Sequence, residues 1–437
     1  MKKFFTTIRN IFAIEDLRVR ILNTIGFLIV FRLGSYIVLP GVDTDALGAG
    51  PQGGIFDLLN TFLGGSFKRS SIFALGIMPY ISASIVIQLL TVAVPYFQKL
   101  QKEGESGRKR LTQITRVLTI LITLAQSAGY LATTIPGEAI MYSPSFFQVT
   151  SMIILVAGTM FCMWLGEKIT DKGIGNGISM LIMIGIISRL PGSLLNEMLD
   201  RGMSGALMFV LEIVALFFIV VGVVALTQAT RRIPIQYAKQ VIGNKLYGGK
   251  RDYIPLKINA SGVMPIIFAQ ALMFIPPLIA GIWKESEVGS YIGSTFSNPY
   301  SWQYNLLFGL LILIFTFFYT AITVNPNDIA DNLKRNGGFI PGIKPGKQTS
   351  DFIDEVLTRI TLPGSIFLAI VAILPAFAVQ AGVSANFSQF YGGTSLLIMV
   401  GVILDTLQQI ESYLLMRHYE GMMKSGKVKG RSQTVAA

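Results

Sequence analysis

Apolar residues run through this chain in long, nearly uncharged blocks separated by polar stretches. A bilayer's hydrocarbon core, about 30 Å thick, takes about 20 such residues in one helix. Ten blocks meet or approach that length, at 20–39, 72–95, 114–134, 147–166, 174–190, 206–228, 259–281, 304–324, 360–380 and 394–414. The fifth is short and begins at the glycine-rich Gly173-Ile174-Gly175-Asn176-Gly177. An eleventh stretch, about 55–67, is too short to span and reads as a re-entrant helix. Such backbone at membrane depth needs a protein or water lining, so the segment predicts a cavity beside it. Its Phe56, Leu58, Leu59 and Phe62 form an apolar stripe, with Asp57 and Asn60 off it and Gly53-Gly54 and Gly64-Gly65 as permissive joints. Residues 1–18 read as an amphipathic segment on the membrane surface, not a cleavable signal peptide, because they carry Glu15 and Asp16 and no small-residue cleavage site follows.

Composition agrees with a polytopic membrane protein: 52% of residues are hydrophobic and 14% charged, against about 25% charged in soluble domains. Ten spans put both termini on one side. Of the 36 Lys and Arg residues, thirty then fall on that side and five on the other, which makes it the cytoplasmic side and explains most of the +12 net charge. Five spans precede Leu190 and five follow, so the second half is inverted relative to the first. Inverted repeats place a site where the halves meet, near the bilayer midplane. No sequence repeat accompanies this topology, which divides the chain into halves 1–205 and 206–437.

A lone cysteine, Cys162, excludes an internal disulfide, and a lone histidine, His418, makes a histidine-based metal site or triad untenable within one chain. No zinc-binding His-Glu motif, paired-Asp signature or P-loop is present, so neither enzyme chemistry nor a cofactor is expected. Arg32, Glu212, Asp405 and Glu411 lie in or near spans. The first, second and fourth are close to span ends. Asp405 is deepest, has no evident basic partner, and reads as a structural hydrogen-bonding group before a proton relay. A solute transporter would need a polar midplane site, and the centre of this chain is aliphatic.

Several motifs add a more specific reading. Ser71-Ile72-Phe73-Ala74-Leu75-Gly76-Ile77-Met78-Pro79-Tyr80-Ile81-Ser82-Ala83-Ser84-Ile85 is followed by Lys102-Glu103-Gly104-Glu105-Ser106-Gly107-Arg108. Then come Trp164-Leu165-Gly166-Glu167-Lys168-Ile169-Thr170-Asp171-Lys172-Gly173-Ile174-Gly175-Asn176-Gly177-Ile178-Ser179, Asn325-Pro326, Ala330-Asp331-Asn332-Leu333-Lys334 and Tyr391-Gly392-Gly393-Thr394-Ser395-Leu396-Leu397-Ile398. In identity and order these resemble the SecY/Sec61-alpha family of protein-conducting channels across nearly the whole chain.

The resemblance implies an all-α fold: ten transmembrane helices in two inverted five-helix halves around an hourglass pore, with a short re-entrant plug helix. It implies translocation of unfolded secretory polypeptides and lateral release of hydrophobic segments into lipid. The waist would be a ring of Ile77, Ile81, Ile178, Ile182, Ile267 and Ile398. Ile77/Ile81 and Ile178/Ile182 are i,i+4 pairs, each on one helix face. Branched aliphatics make a dewetting constriction that blocks ions without preferring a sequence. Spacing alone does not separate a pore-lining isoleucine from a packing one; the motifs around them make the assignment. The 55–67 segment takes the plug's position. The lateral gate would lie between the second and third spans and the seventh and eighth, where Ser82, Gln88, Gln126 and Gln270 supply polar contacts of about 0.6 to 2 kcal/mol each. Each of these reads equally well as an ordinary structural hydrogen bond.

Two long polar stretches, 229–258 and 325–359, carry Arg231, Arg232, Lys245, Lys250, Arg251, Lys334, Arg335 and Lys344. Positive-inside orientation explains part of this charge; the loop lengths point further, to docking on phosphate-rich RNA. The resemblance implies the ribosome with its rRNA and the motor ATPase SecA as partners there, SecE and SecG as membrane subunits, and nascent chains and lipids as contacts. It places the chain in the bacterial plasma (inner) membrane with both termini cytoplasmic, as a passive channel driven by its partners. One departure stands out: the family's Pro-Gly-Ile-x-Pro-Gly turn carries arginine at x, and here the residue is Lys344, which keeps the charge and loses the planar fork.

Overall fold

The computed structural model describes residues 14–44, 63–202, 205–237, 240–242, 245–247, 251–273, 291, 295–296 and 298–424. The helices are α1 (Glu15–Gly34), α2 (Met78–Ala93), α3 (Pro95–Lys102), α4 (Glu105–Thr134), α5 (Pro144–Lys172), α6 (Gly177–Arg201) and α7 (Ala206–Gln228). They continue as α8 (Met264–Leu272), α9 (Trp302–Thr323), α10 (Pro326–Arg335), α11 (Lys347–Gln380), α12 (Ala385–Ser388) and α13 (Gly393–Lys424). Strands are β1 (Thr230–Tyr237), β2 (Gln240–Ile242), β3 (Lys245–Tyr247), β4 (Arg251–Lys257) and β5 (Gly338–Phe339). Among the described residues α4, α5, α6, α7, α9, α11 and α13 are long and apolar enough to cross a membrane, and the α2–α3 pair makes an eighth if counted as one broken span. The chain is a multi-pass membrane protein.

Prolines and glycines decide where these elements start and stop. The block expected to be helical over 72–95 is helical only from Met78. Residues 63–77 run through turns, with positive φ at Gly64, Gly65, Ser70 and Gly76. Pro79 sits in the first turn of α2, where its missing N–H would have been unpaired anyway. Pro95 biases Val94 to extended backbone (φ −114°, ψ 121°), which ends α2 and turns α3 away by 99°. Other prolines are absorbed: α6 runs through Pro191 and so outlasts the block expected at 174–190, and α11 runs through Pro363 and Pro375 to the expected end at 380 but begins ahead of the block expected at 360–380. Of the seventh block, α8 is described and 274–281 lies outside the described residues.

By packing, the described residues up to Arg189 and from Val402 onward form one compact unit, and those from Leu190 to Gly401 a second. The first unit has a core of Leu39, Leu63, Phe67, Leu75, Leu131 and Phe147. Within it the buried Tyr130 hydroxyl on α4 donates to the Phe67 carbonyl at 2.8 Å, adding to the Ser70 amide that reaches the same oxygen at 3.3 Å and tying the turn segment to α4.

In the second unit the two stretches expected to be loops fold together. β1 pairs antiparallel with β4, Ile233 opposite Ile254, and with β5 through Gln236 and Tyr237, giving the order β4-β1-β5. Pro234 interrupts β1 where β5 no longer runs alongside, and Pro255 lies on the edge strand β4, the positions a sheet tolerates. Ile233, Ile235 and Leu256 bury one face of this sheet against Leu333 of α10 and Ile353 and Leu357 of α11. A small sheet therefore supplements the helical architecture, and α10 and the first turns of α11 replace most of the loop expected at 325–359.

Replacing Tyr130 by phenylalanine should lower stability by about 0.5–1.5 kcal/mol, because the turn segment loses its hydroxyl hydrogen bond from α4. Thermal unfolding of the purified complex measures this; an unchanged midpoint would show that the hydroxyl does not hold the turn segment.

Candidate functional site

The motif at 71–85 is a device for starting α2 at a defined place. The Phe73 ring stacks between Phe31 and Phe161, with centroids 5.9 and 5.7 Å away. It lies over Gly34, where a Cβ would come within 2.0 Å of it. The Ile72 carbonyl approaches Gly158 of α5 so closely that a Cβ there would lie 2.3 Å from the oxygen. Gly76 then turns the chain at φ +51°, and Ile77 caps α2, its carbonyl accepting from the Ile81 amide at 3.1 Å. Ile77 and Ile81 are thus one turn apart as expected, Ile77 buried and Ile81 half-buried.

The second motif works in the same way. Asn176 caps α6 with its Oδ1, accepting from Ile178 N at 3.1 Å and Ser179 N at 3.3 Å. Thr170 accepts from Gly177 N at 2.9 Å, Thr24 of α1 from Ile174 N at 3.0 Å, and Gln409 of α13 from Gly175 N at 2.8 Å. Arg20 donates to the Gly173 carbonyl at 3.1 Å. A Cβ on Gly177 would lie 1.9 Å from the Gly166 carbonyl oxygen, so α5 and α6 meet backbone to backbone. Ile178 and Ile182 project from the first turns of α6, half-buried and buried respectively. Glu167 of the same motif takes a two-pronged contact from Arg116 of α4, 2.8 Å to each oxygen.

In the second unit Ile267 is half-buried on α8, and Ile398 is buried on α13. The Tyr391-Gly392-Gly393 motif builds the corner before α13. The Tyr391 hydroxyl donates to the Glu212 carbonyl at 2.8 Å. Gly392 has no room for a Cβ, which would lie 2.1 Å from the Val371 carbonyl, and Gly393 turns at φ +65°.

Among the expected gate residues, Ser82 donates to the Met78 carbonyl of its own helix at 3.2 Å. Gln88 and Gln126 lie on α2 and α4, and Gln126 is exposed. Gln270 is half-buried on α8. Between α2, α3 and α4 runs an apolar groove of about 450 Å³, lined among others by Val86, Leu90, Phe97, Val117 and Leu121. The plug residues Phe56, Leu58, Leu59 and Phe62 lie outside the described residues, as do Lys250 and the first thirteen residues of the amphipathic segment. In the described end of the segment expected to be the plug, which runs through turns, Arg32 and Arg69 both donate to the Gly64 carbonyl at 3.0 Å. Both guanidiniums also face the Tyr36 ring, with centroid distances of 5.0 Å for Arg32 and 4.3 Å for Arg69.

The basic residues are presented by the sheet. Alternation along β1 and β4 puts Arg232, Arg251, Tyr253 and Lys257 on the face opposite the apolar core, all exposed. Arg231 lies at the ladder's end on the other face and is also exposed. Lys245 belongs to β3 of the β2–β3 hairpin, where the backbone alone is described. On α10, capped by Asn325 with Pro326 at its start, Ala330 and Leu333 are buried, which leaves Lys334 and Arg335 exposed in the last turn. Lys344 is exposed in a turn with Gly342 at φ +86° and Gly346 at φ +106°; its carbonyl accepts from the Thr349 hydroxyl at 2.9 Å.

Sequence reasoning treated the intramembrane charges one by one and missed a cluster. Glu212 is bound by Arg201 at 2.5 Å, and Arg201 also donates to Glu197 Oε1 at 3.2 Å. The i,i+4 spacing of Glu197 and Arg201 was the one available signal. Asp405, expected to be a buried structural group, is exposed on α13, and Glu411 is exposed as well.

The SecY family model matches residues 71–407 of the chain. Over 97% of the chain it is 41% identical to the whole of the protein translocase subunit SecY of Mycobacterium bovis. Over 96% it is 42% identical to the whole of the Streptomyces coelicolor subunit, and over 96% it is 44% identical to the whole of that of Halalkalibacterium halodurans. In fold it is similar to a structure described as a protein conducting channel, with a TM-score of 0.63 at 17% identity, covering 90% of this chain and 92% of the other. It is likewise similar to Sec61 in the canine ribosome-channel complex from the endoplasmic reticulum, with a TM-score of 0.59 at 17% identity and the same coverage.

Gly177→Ala should lower stability by about 1–3 kcal/mol, because its methyl group meets the Gly166 carbonyl. Gly192→Ala, on the same helix with open space around it, should be neutral or stabilising by up to about 1 kcal/mol. Thermal unfolding of the two variants side by side separates contact from propensity, and equal behaviour would contradict the backbone approach.

Proposed function

The chain belongs to the SecY family, and from that membership we propose that it is the pore subunit of a protein-translocation channel in the bacterial plasma (inner) membrane. It passes unfolded secretory polypeptides outward and releases hydrophobic segments sideways into lipid. The observation that carries this reading is the match to translocase subunits along nearly the whole chain.

In this reading halves 1–205 and 206–437 flank the pore, and the waist is Ile77, Ile81, Ile178, Ile182, Ile267 and Ile398. Support comes from the two motifs that hold Ile77 and Ile178 at helix starts by close backbone packing. A ring of aliphatic side chains carries no fixed charge, so it passes any sequence and still excludes ions by dewetting. The 55–67 segment with Phe56, Leu58, Leu59 and Phe62 closes the outer funnel. Ser82, Gln88, Gln126 and Gln270 line the lateral gate, and the apolar groove beside α2 and α4 suits a hydrophobic segment on its way to lipid.

Both termini face the cytoplasm, as the charge asymmetry favours. The channel is a non-enzymatic conduit, so energy comes from the ribosome or from SecA. Their docking surface is the cationic face of Arg232, Arg251 and Lys257, with Arg231, Lys245, Lys250, Lys334, Arg335 and Lys344 around it. Structural relatives include a ribosome-bound channel, which supports the ribosome as a partner. SecE and SecG complete the membrane complex. Lys344, in place of the family's arginine, makes a point-charge contact where a planar fork would be bidentate.

A stalled precursor tests the pore assignment. With Cys162 replaced by alanine and a single cysteine placed at Ile81 or Ile178, a cysteine midway along the precursor should crosslink at both positions and not at a lipid-facing control. Absence of both crosslinks with a committed precursor would refute the ring. For the docking face, reversing Arg232, Arg251 and Lys257 to glutamate should weaken ribosome binding by about tenfold or more at low salt and flatten its salt dependence. Retained affinity in a sedimentation assay would move the docking site elsewhere.

A further inference from the structure

At the end of α7 away from the sheet, a buried cluster joins segments far apart in sequence. Arg201, the last residue of α6, donates through Nε to Glu197 Oε1 at 3.2 Å. Its Nη2 donates to Glu212 Oε1 of α7 and to the Gly382 carbonyl, each at 2.5 Å. The other Glu197 oxygen accepts from Ser384 N at 3.1 Å, and Ser384 caps α12. Glu197 and Glu212 are 2% and 3% exposed. With Tyr391 bound to the Glu212 carbonyl, the residues 382–391 are pinned at both ends. Gly392 abuts the Val371 carbonyl without room for a side chain, and α13 starts at the next residue, with Ile398 five residues further on.

We propose that Arg201 is a positioning residue: by holding Gly382, Glu197 and Glu212 together it fixes the 382–391 corner and, through it, the first turns of α13 that carry Ile398. The inference rests on the reading of Ile398 as part of the pore constriction. The charges show why the role falls to Arg201. Two buried carboxylates and the Tyr391 phenol face one another here, and Arg201 is their counter-charge; its loss strands both carboxylates in a dry site. Glu212 Oε2 already has no partner among the described residues, so the cluster has no spare donor to compensate. The guanidinium's fork reaches a carboxylate with one nitrogen and a carboxylate and a carbonyl with another, which an ammonium group cannot reproduce.

The test uses the intact complex reconstituted in lipid, comparing wild type, Arg201→Gln, Arg201→Lys and the exposed neighbour Asp200→Asn. Two readouts are needed: hydrogen exchange of residues 382–398 and ion conductance of the idle channel. Arg201→Gln should speed exchange there by about tenfold or more, with residues 63–77 unchanged, and should raise idle conductance several-fold. Arg201→Lys should fall between it and wild type on both readouts, and it serves alone if the glutamine variant does not fold. Asp200→Asn should match wild type. Unchanged exchange at 382–398 in both Arg201 variants overturns the proposal. So does faster exchange without a rise in conductance when Ile398→Gly, run in parallel, does conduct. If Ile398→Gly does not conduct either, the pore assignment of Ile398 has failed and the link to the pore falls with it, while the exchange data still report whether Arg201 holds the corner.

Discussion

Backbone that is not helical must be fully satisfied by protein where water is scarce, and this constraint governs the parts of the molecule that matter most. Residues 63–77 and 173–177 leave regular helix between long apolar segments. Each is held by side chains from elsewhere in the chain: Tyr130 on the Phe67 carbonyl, Arg32 and Arg69 on Gly64, Thr24 on Ile174, Gln409 on Gly175. Because all of these partners but Arg69, which lies in the turn segment itself, come from helices, the turn segments are anchored to the whole unit. The helices that begin where the turns end start at defined residues, and those starts carry Ile77 and Ile178.

Close backbone approach is the second half of the same device. Gly158, Gly177 and Gly392 face carbonyl oxygens at distances that exclude a methyl group. Without a hydrophobic driving force between helices in lipid, small residues let backbones pack and let van der Waals contact take over. The motif glycines therefore set inter-helix distance, and the isoleucines next to them inherit that placement.

Much of this was legible in the sequence. The block at 206–228 coincides with α7, and the i,i+4 relation of Ile77 and Ile81 survives because the Ile77 carbonyl opens the α2 ladder. The end of the fifth block failed because a proline was absorbed: Pro191 did not stop α6, since a long helix packed on its neighbours tolerates a missing donor, whereas Pro95 ended α2 close to where the second block was expected to end. The sheet was hidden because Pro234, Pro255 and a run of charges disguise strands whose buried face amounts to Ile233, Ile235 and Leu256. Arg201 was invisible for a different reason. Its carbonyl partner, Gly382, is 181 residues away, and no local pattern encodes a contact of that range.

The two ends of the second unit divide the electrostatic work. At the sheet end cations stand exposed on a rigid β surface, available to a large anionic partner and screened by salt. At the opposite end charges are buried, paired and bound to backbone, where screening is weak and geometry is demanding. The first arrangement suits reversible docking, because exposed charges add on-rate and little rigidity. The second suits a fixed joint, because breaking one contact strands the others. Between them run α7, α9 and α11, nearly free of charge over their apolar lengths. A conduit needs this order: grip on a partner at one end, a firm frame at the other, and in between nothing that would hold a passing chain.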